Sequence, residues 1–171
     1  VNSVLSFSRQ HFPFSVVDLP AAFDDATLAA LVASDLIILV LTPDVAGVGL
    51  AAKAMQVFDV LGYAEQRVRL ISNQPYDEPG IATKHIEKTL GRKLDITLPH
   101  EKSSYLAAIN LGQPFLTRYP KRPVAREFRR LAAQVRKMRA AADGSYSTQK
   151  HKNGRSPVLS NIWGRAKSYA R

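Results

Sequence analysis

The residues best placed to do chemistry are those that close short apolar runs. Phe14-Ser15-Val16-Val17 runs into Asp18-Leu19-Pro20, and Leu36–Leu41 runs into Thr42-Pro43-Asp44. Val68–Ile71 runs into Ser72-Asn73-Gln74-Pro75, and a weaker run, Leu94–Leu98, ends at Pro99-His100. An apolar strand ending in an acid, as in Phe14–Asp18, has the form of a Walker B strand. There the carboxylate sits at the sheet edge and helps hold Mg2+ beside phosphates. The same residues also describe any strand that meets a turn. Asn73 before Gln74-Pro75 equally fits an ordinary turn, and Asn110 equally fits a helix end. In an open α/β sheet ligands bind beyond the carboxyl ends of the strands, and here those ends carry Asp18, Thr42, Asn73 and Pro99.

Other chemistries are excluded by composition. The 171 residues contain no cysteine, which removes disulfide scaffolds, thiolate nucleophiles, iron–sulfur clusters and cysteine-bound zinc. His11, His85, His100 and His151 are scattered, without the pairing a histidine metal site needs. The longest unbroken aliphatic run is Leu36–Leu41, far short of the roughly 20 residues that span a bilayer. No charged region followed by an apolar stretch opens the sequence, so no signal peptide is visible. The first residue is Val. Length and a 46% apolar share predict one compact core.

The elements that must position these residues follow from periodicity. The Leu36–Leu41 run is continuous and β-branched, not alternating, which predicts a strand covered on both faces. Between the runs lie helical patterns. One is short, Ala26–Ala33. A second puts Leu50, Ala54, Val57 and Leu61 on one face, and a third does so with Ile81, His85, Ile86 and Leu90, with Gly91 as C-cap. A fourth covers Ser103–Leu111 and stops at Gly112. Strand and helix alternate through residues 14–112, the pattern of a doubly wound, mostly parallel sheet. From Pro123, suited to a first helical position, Val124, Phe128, Leu131, Val135 and Met138 share a face and Asp143-Gly144 closes the pattern. The polar stretch after it predicts a linker over 143–157, and residues 158–171 form a basic amphipathic tail.

The succession FSVVDLP, SDLIILVLTPD, VRLISNQP and ITLPHEKSSYLAAINLGQPF resembles the second half of the MinD/ParA superfamily of P-loop ATPases. It is most similar to the CpaE/TadZ branch of Flp (tad) pilus assembly. The resemblance covers residues 12–138, so residues 1–142 are expected to be the C-terminal part of such a domain. Asp18-Leu19-Pro20, in place of the commoner Asp-[Ser/Thr]-Pro, points to the pilus branch. Ala108, Asn110, Gly112 and Pro114 form an A-x-N-x-G-x-P phrase typical of the superfamily. The resemblance implies that Asp18 is the Walker B acid, which holds Mg2+ through water. It makes Leu19 and Pro20 part of the switch that senses the γ-phosphate. It places Asn73, Pro99 and His100 on the adenine side, with His100 standing where the family has an acidic or small polar residue. ATP and Mg2+ are the implied cofactors, with a homodimer and pilus or secretion assembly proteins as partners. The implied location is cytoplasmic, peripheral at the inner face of the membrane or at the cell pole. One departure is plain: no G-x-x-x-x-G-K-[ST] sequence occurs. The expectation is therefore either a fragment of a longer protein or a non-catalytic scaffold with a degenerate ATPase fold. Hydrolysis by these residues alone is not expected. An absent central strand would also expose an apolar sheet edge.

Charge is distributed unevenly. The formal net charge of +10 divides into −3 over residues 1–114 (nine Lys/Arg, twelve Asp/Glu) and +13 over residues 115–171 (fifteen and two). The basic end fits a solvated terminus, contact with an anionic membrane through Trp163, Arg165 and Lys167, or nonspecific nucleic acid binding through Arg126, Arg129 and Arg130. The last option corresponds to a ParA-like partition role.

Overall fold

The computed structural model describes residues 2–63 and 65–149, the stretch 141–149 as backbone helix only. The chain divides into two compact units, one running to Ile37 and the other beginning at Ile38.

In the first unit, helix α1 (Asn2–His11) buries no residue. Its Arg9 guanidinium pairs with Asp35 and donates to the Ala33 carbonyl at 3.1 Å. Helix α2 (Asp25–Ala33) starts because Asp24 sits extended ahead of it and its Oδ1 accepts the Thr27 N–H at 2.7 Å. Hydrogen bonds from the Thr27 backbone and hydroxyl hold the Asp24 carboxyl below its ordinary value. The run expected as a strand, Phe14–Val17, takes no regular structure, and Val16 is 96% exposed. Apolar β-branched residues favour an extended backbone, but a strand exists only when a neighbour completes its ladder. No described residue ladders with this run.

The second unit carries the sheet, whose order is β1-β2-β3. Strand β1 (Ile37–Leu41) begins at the unit boundary and leads to helix α3 (Val45–Val60), where Asp44 caps the N-terminus by accepting the Gly47 N–H at 2.7 Å. A 3-10 turn, Glu65–Arg67, precedes strand β2 (Val68–Asn73). Helix α4 (Thr83–Leu90) ends at Gly91 with φ 65°, the left-handed cap its sequence predicts. Strand β3 (Ile96–Leu98) lies parallel to β2, with Ile71, Ser72 and Asn73 in register with Ile96, Thr97 and Leu98. Helices α5 (Lys102–Asn110), α6 (Phe115–Arg118) and α7 (Pro123–Gln149) follow. Residues 143–149, expected to open a linker, continue α7 as backbone helix. The tail 158–171, with Trp163, Arg165 and Lys167, lies outside the described residues.

Helices cover both faces of this sheet. On one face Leu41 meets Val48, Ala51 and Ile86, with Leu39, Ile81, Leu90 and Leu94 around them. On the other, Ile71, Ile96 and Leu98 pack on Val124, with Tyr105, Phe115, Phe128 and Leu131 closing the layer. The apolar face expected of α7 is thus the one that packs. Helix α3 is turned from expectation: Val48, Ala51, Ala54 and Phe58 are inside, while Leu50 is 62% exposed. Both faces satisfy helical spacing, and Phe58 offers more area to bury than Val57. The prediction for β1 also fails in part, because Ile38 and Val40 are exposed while Ile37 and Leu41 are buried.

Candidate functional site

The site is built at the carboxyl end of the sheet. Asn73, half-buried, is the last residue of β2 and stands in register with Leu98. The Gln74 N–H donates to the Leu98 carbonyl at 3.0 Å, so the ladder persists to the point where Pro99 and His100 leave the strand. Asn73 and Pro99-His100, expected together, therefore end adjacent strands. The Gln74 amide donates to the carbonyls of Tyr76 and Glu78 at 3.1 and 2.6 Å and folds the following loop back. That loop docks on the β1–α3 turn: the Ile81 N–H donates to the Pro43 carbonyl at 2.7 Å. A Cβ on Gly80 would stand 2.4 Å from the same oxygen, so only glycine permits this approach. Beside it, hydrogen bonds from the Thr42 hydroxyl and then the Gly47 N–H hold the Asp44 carboxyl below its ordinary value.

A cleft of about 550 Å3 opens next to this edge, lined by His100, Glu101, Lys102, Ser103, Leu106 and Arg122. His100 is the one expected site residue among them. Glu101 and Arg122, 3.9 Å apart, pair across it. Arg122 was hidden in the sequence because it reads as part of the basic block, and only the return of the chain to α7 brings it to Glu101. In the core layer that packs on β3, the Tyr105 and Phe115 rings lie 4.5 Å apart. Burial, with the Glu101 charge adding to it, pushes the Tyr105 phenol above its usual value. The lining combines two cations, an imidazole, a carboxylate, a hydroxyl and one apolar side chain, a set able to hydrogen-bond a polar ligand along an apolar surface.

Asp18 and Pro20 are exposed and Leu19 is half-buried, all in the irregular segment of the first unit. The A-x-N-x-G-x-P phrase acts as a helix stop and restart. Ala108 is buried, Asn110 is the last residue of α5, Gly112 adopts φ 60°, and the Pro114 carbonyl accepts the first bonds of α6. On α7, Arg126, Arg129 and Arg130 are exposed. Arg129 donates to the Pro120 carbonyl at 2.6 Å and Arg130 lies 3.5 Å from Glu127. Among the described residues no three acidic or histidine side chains cluster to hold a metal. The sequence contains no G-x-x-x-x-G-K-[ST] loop. No described helix is long and apolar enough to cross a membrane.

This arrangement, helices on both faces of a parallel sheet with loops gathered at its carboxyl edge, is the α/β fold of the ParA and MinD ATPases. A ParA family ATPase from Chlorobium tepidum TLS matches 72% of the chain with a TM-score of 0.61 and 21% identity. The cell division ATPase MinD of Pyrococcus furiosus matches 80% with a TM-score of 0.65 and 20% identity. A chain of the MinC:MinD cell division protein complex of Aquifex aeolicus matches 91% with a TM-score of 0.61 and 15% identity. The chain spans 51%, 56% and 61% of the lengths of these three. No family model and no curated relative matches it.

Proposed function

We propose that this chain is the C-terminal part of a MinD/ParA-like ATPase-fold protein of the CpaE/TadZ kind, a component of Flp (tad) pilus assembly or a related secretion machinery. The observation that carries the reading is the edge where Asn73 meets Leu98-Pro99 beside the His100 cleft, in a chain with the ParA/MinD fold. The Asp18-Leu19-Pro20 form supports the pilus branch. In the longer protein, ATP with Mg2+ would bind with Asp18 as the acid and Asn73, Pro99 and His100 at the base. Binding would favour a homodimer at the inner face of the membrane or the pole, held there by the basic C-terminal region. The test is Asp18→Ala in the full-length protein, read by Mg2+-dependent binding of a fluorescent ATP analogue and by sedimentation. Loss of nucleotide binding or of dimerisation is expected, and unchanged affinity with unchanged self-association sinks the reading.

A second reading, a non-catalytic scaffold with a degenerate ATPase fold, is favoured by the missing glycine loop. It predicts a full-length protein that binds its assembly partners equally well with and without ATP.

A further inference from the structure

The segment between β2 and α4 is tied to the ends of all three described strands. The Gln74 N–H closes the β2–β3 ladder on the Leu98 carbonyl at 3.0 Å. Pro75 has no N–H, so the ladder cannot run further, and a residue ahead of proline is held extended. The chain turns away there, and the Gln74 side chain reaches after it. Its amide donates to the Tyr76 carbonyl at 3.1 Å and to the Glu78 carbonyl at 2.6 Å. An amide NH2 carries two N–H donors, and both are used. At its far end the segment meets the β1–α3 turn. The Ile81 N–H donates to the Pro43 carbonyl at 2.7 Å, and a Cβ on Gly80 would strike the Pro43 carbonyl and ring. One side chain, next to Asn73 at the end of β2, thus holds a strap that runs across to the end of β1.

We propose that Gln74 is a positioning residue for base discrimination: by holding the 75–80 strap it fixes the backbone of Asn73 where a nucleotide base is read. This role rests on the nucleotide reading of the Asn73 edge. The position needs a neutral donor. Carbonyls only accept, so Gln74→Glu, of nearly the same size, sets ionised oxygens against them and repels the strap. Gln74→Ala leaves both carbonyls to solvent and lets the last ladder bond fray, as weakly held strand ends do. In either variant Asn73 loses its fixed backbone, while contacts to phosphates elsewhere are kept. The signature is a loss of selectivity for the base, not a general loss of affinity.

The experiment uses the full-length protein and sets ATP and inorganic tripolyphosphate, each with Mg2+, to compete with a ribose-labelled ATP analogue. The ratio of their dissociation constants is the readout. A protein that is only less stable weakens both ligands together and keeps the ratio. Gln74→Ala and Gln74→Glu should each lower the preference for ATP about tenfold, the worth of one hydrogen bond, with tripolyphosphate binding unchanged. Gly80→Ala disturbs the other anchor of the strap with Gln74 intact and should lower the same ratio. A second measurement needs no ligand: the Ile81 amide should exchange hydrogen faster in Gln74→Ala than in the parent. A preference for ATP kept by both the Gln74 and the Gly80 variants overturns the proposal and leaves the nucleotide reading standing. So does unchanged exchange at Ile81, and so does an equal weakening of both ligands, which marks a structural residue. A parent that binds ATP no better than tripolyphosphate overturns the reading of the Asn73 edge, and this role falls with it.

Discussion

Asp95 joins the strands that carry the candidate site, and removing its side chain should loosen them measurably. The Asp95 N–H donates to the Leu70 carbonyl at 2.9 Å, and Asp95 Oδ2 accepts the Leu70 N–H at 2.8 Å. Its Oδ1 lies 3.5 Å from Arg69 Nε, with the two side chains 22% and 20% exposed. Asp95→Ala removes the acceptor of the Leu70 N–H, on a residue that is 0% exposed. An orphaned buried donor costs about 1–3 kcal/mol. The ion pair adds at most ~1 kcal/mol, because it is partly solvated. Arg69 also keeps the Gln66 carbonyl at 3.1 Å. The sum is about 2 kcal/mol, or roughly 4–8 °C in Tm for a chain of this size. Asp95→Asn retains an oxygen for the Leu70 N–H and loses only charge, so about 0.5 kcal/mol is expected. Urea unfolding followed by circular dichroism, with equal m-values as a check, measures both. If Asp95→Asn costs as much as Asp95→Ala, charge is the main contribution and the hydrogen-bond reasoning is refuted. If neither costs more than ~0.5 kcal/mol, the ladder does not depend on this side chain.

Two further outcomes follow from single polar groups. Among the described residues the Tyr63 hydroxyl is buried without a hydrogen-bond partner, and burial pushes its pKa above the usual value. Tyr63→Phe should therefore raise stability by about 1 kcal/mol while keeping the ring under Arg67, 4.2 Å from its centroid. A lower Tm would show that the hydroxyl is satisfied. Asp44 has a folded pKa below 3.8, so its capping contribution is fully present above that value and is lost as pH falls through the lower folded value. Asp44→Ala should be less stable than the parent at pH 7, and the gap should close as pH drops below 3.8. A gap that stays constant down to pH 2 would remove the carboxylate from the cap.

The candidate site was legible where it depends on strand ends. Asn73 and Pro99-His100 terminate apolar runs, and runs that become neighbouring parallel strands bring their ends together. The Glu101–Arg122 pair was not legible. Nothing local links an acid ahead of α5 to an arginine ahead of α7, and the pair exists only because both helices return to one sheet edge. Leu50 and Val48 show the same limit within one helix. The 3.6-residue period permits either face, and contact with Leu41 and Ile86 selects Val48.

What the sequence by itself determined is local. The runs at Leu36–Leu41, Val68–Ile71 and Leu94–Leu98 became β1, β2 and β3, Gly91 became a left-handed cap, and Val124, Phe128 and Leu131 of the expected stripe became the packed side of α7. Each rests on backbone propensity or side-chain period within a few residues. What only the tertiary structure decided is pairing and cover. Phe14–Val17 is as strand-like in composition as β2, yet it has no ladder among the described residues, and β1 is as apolar as a central strand, yet Ile38 and Val40 are exposed. The physical reason is common to both. A strand's hydrogen bonds and half of its burial belong to its neighbours, so the residues of the strand itself cannot supply them.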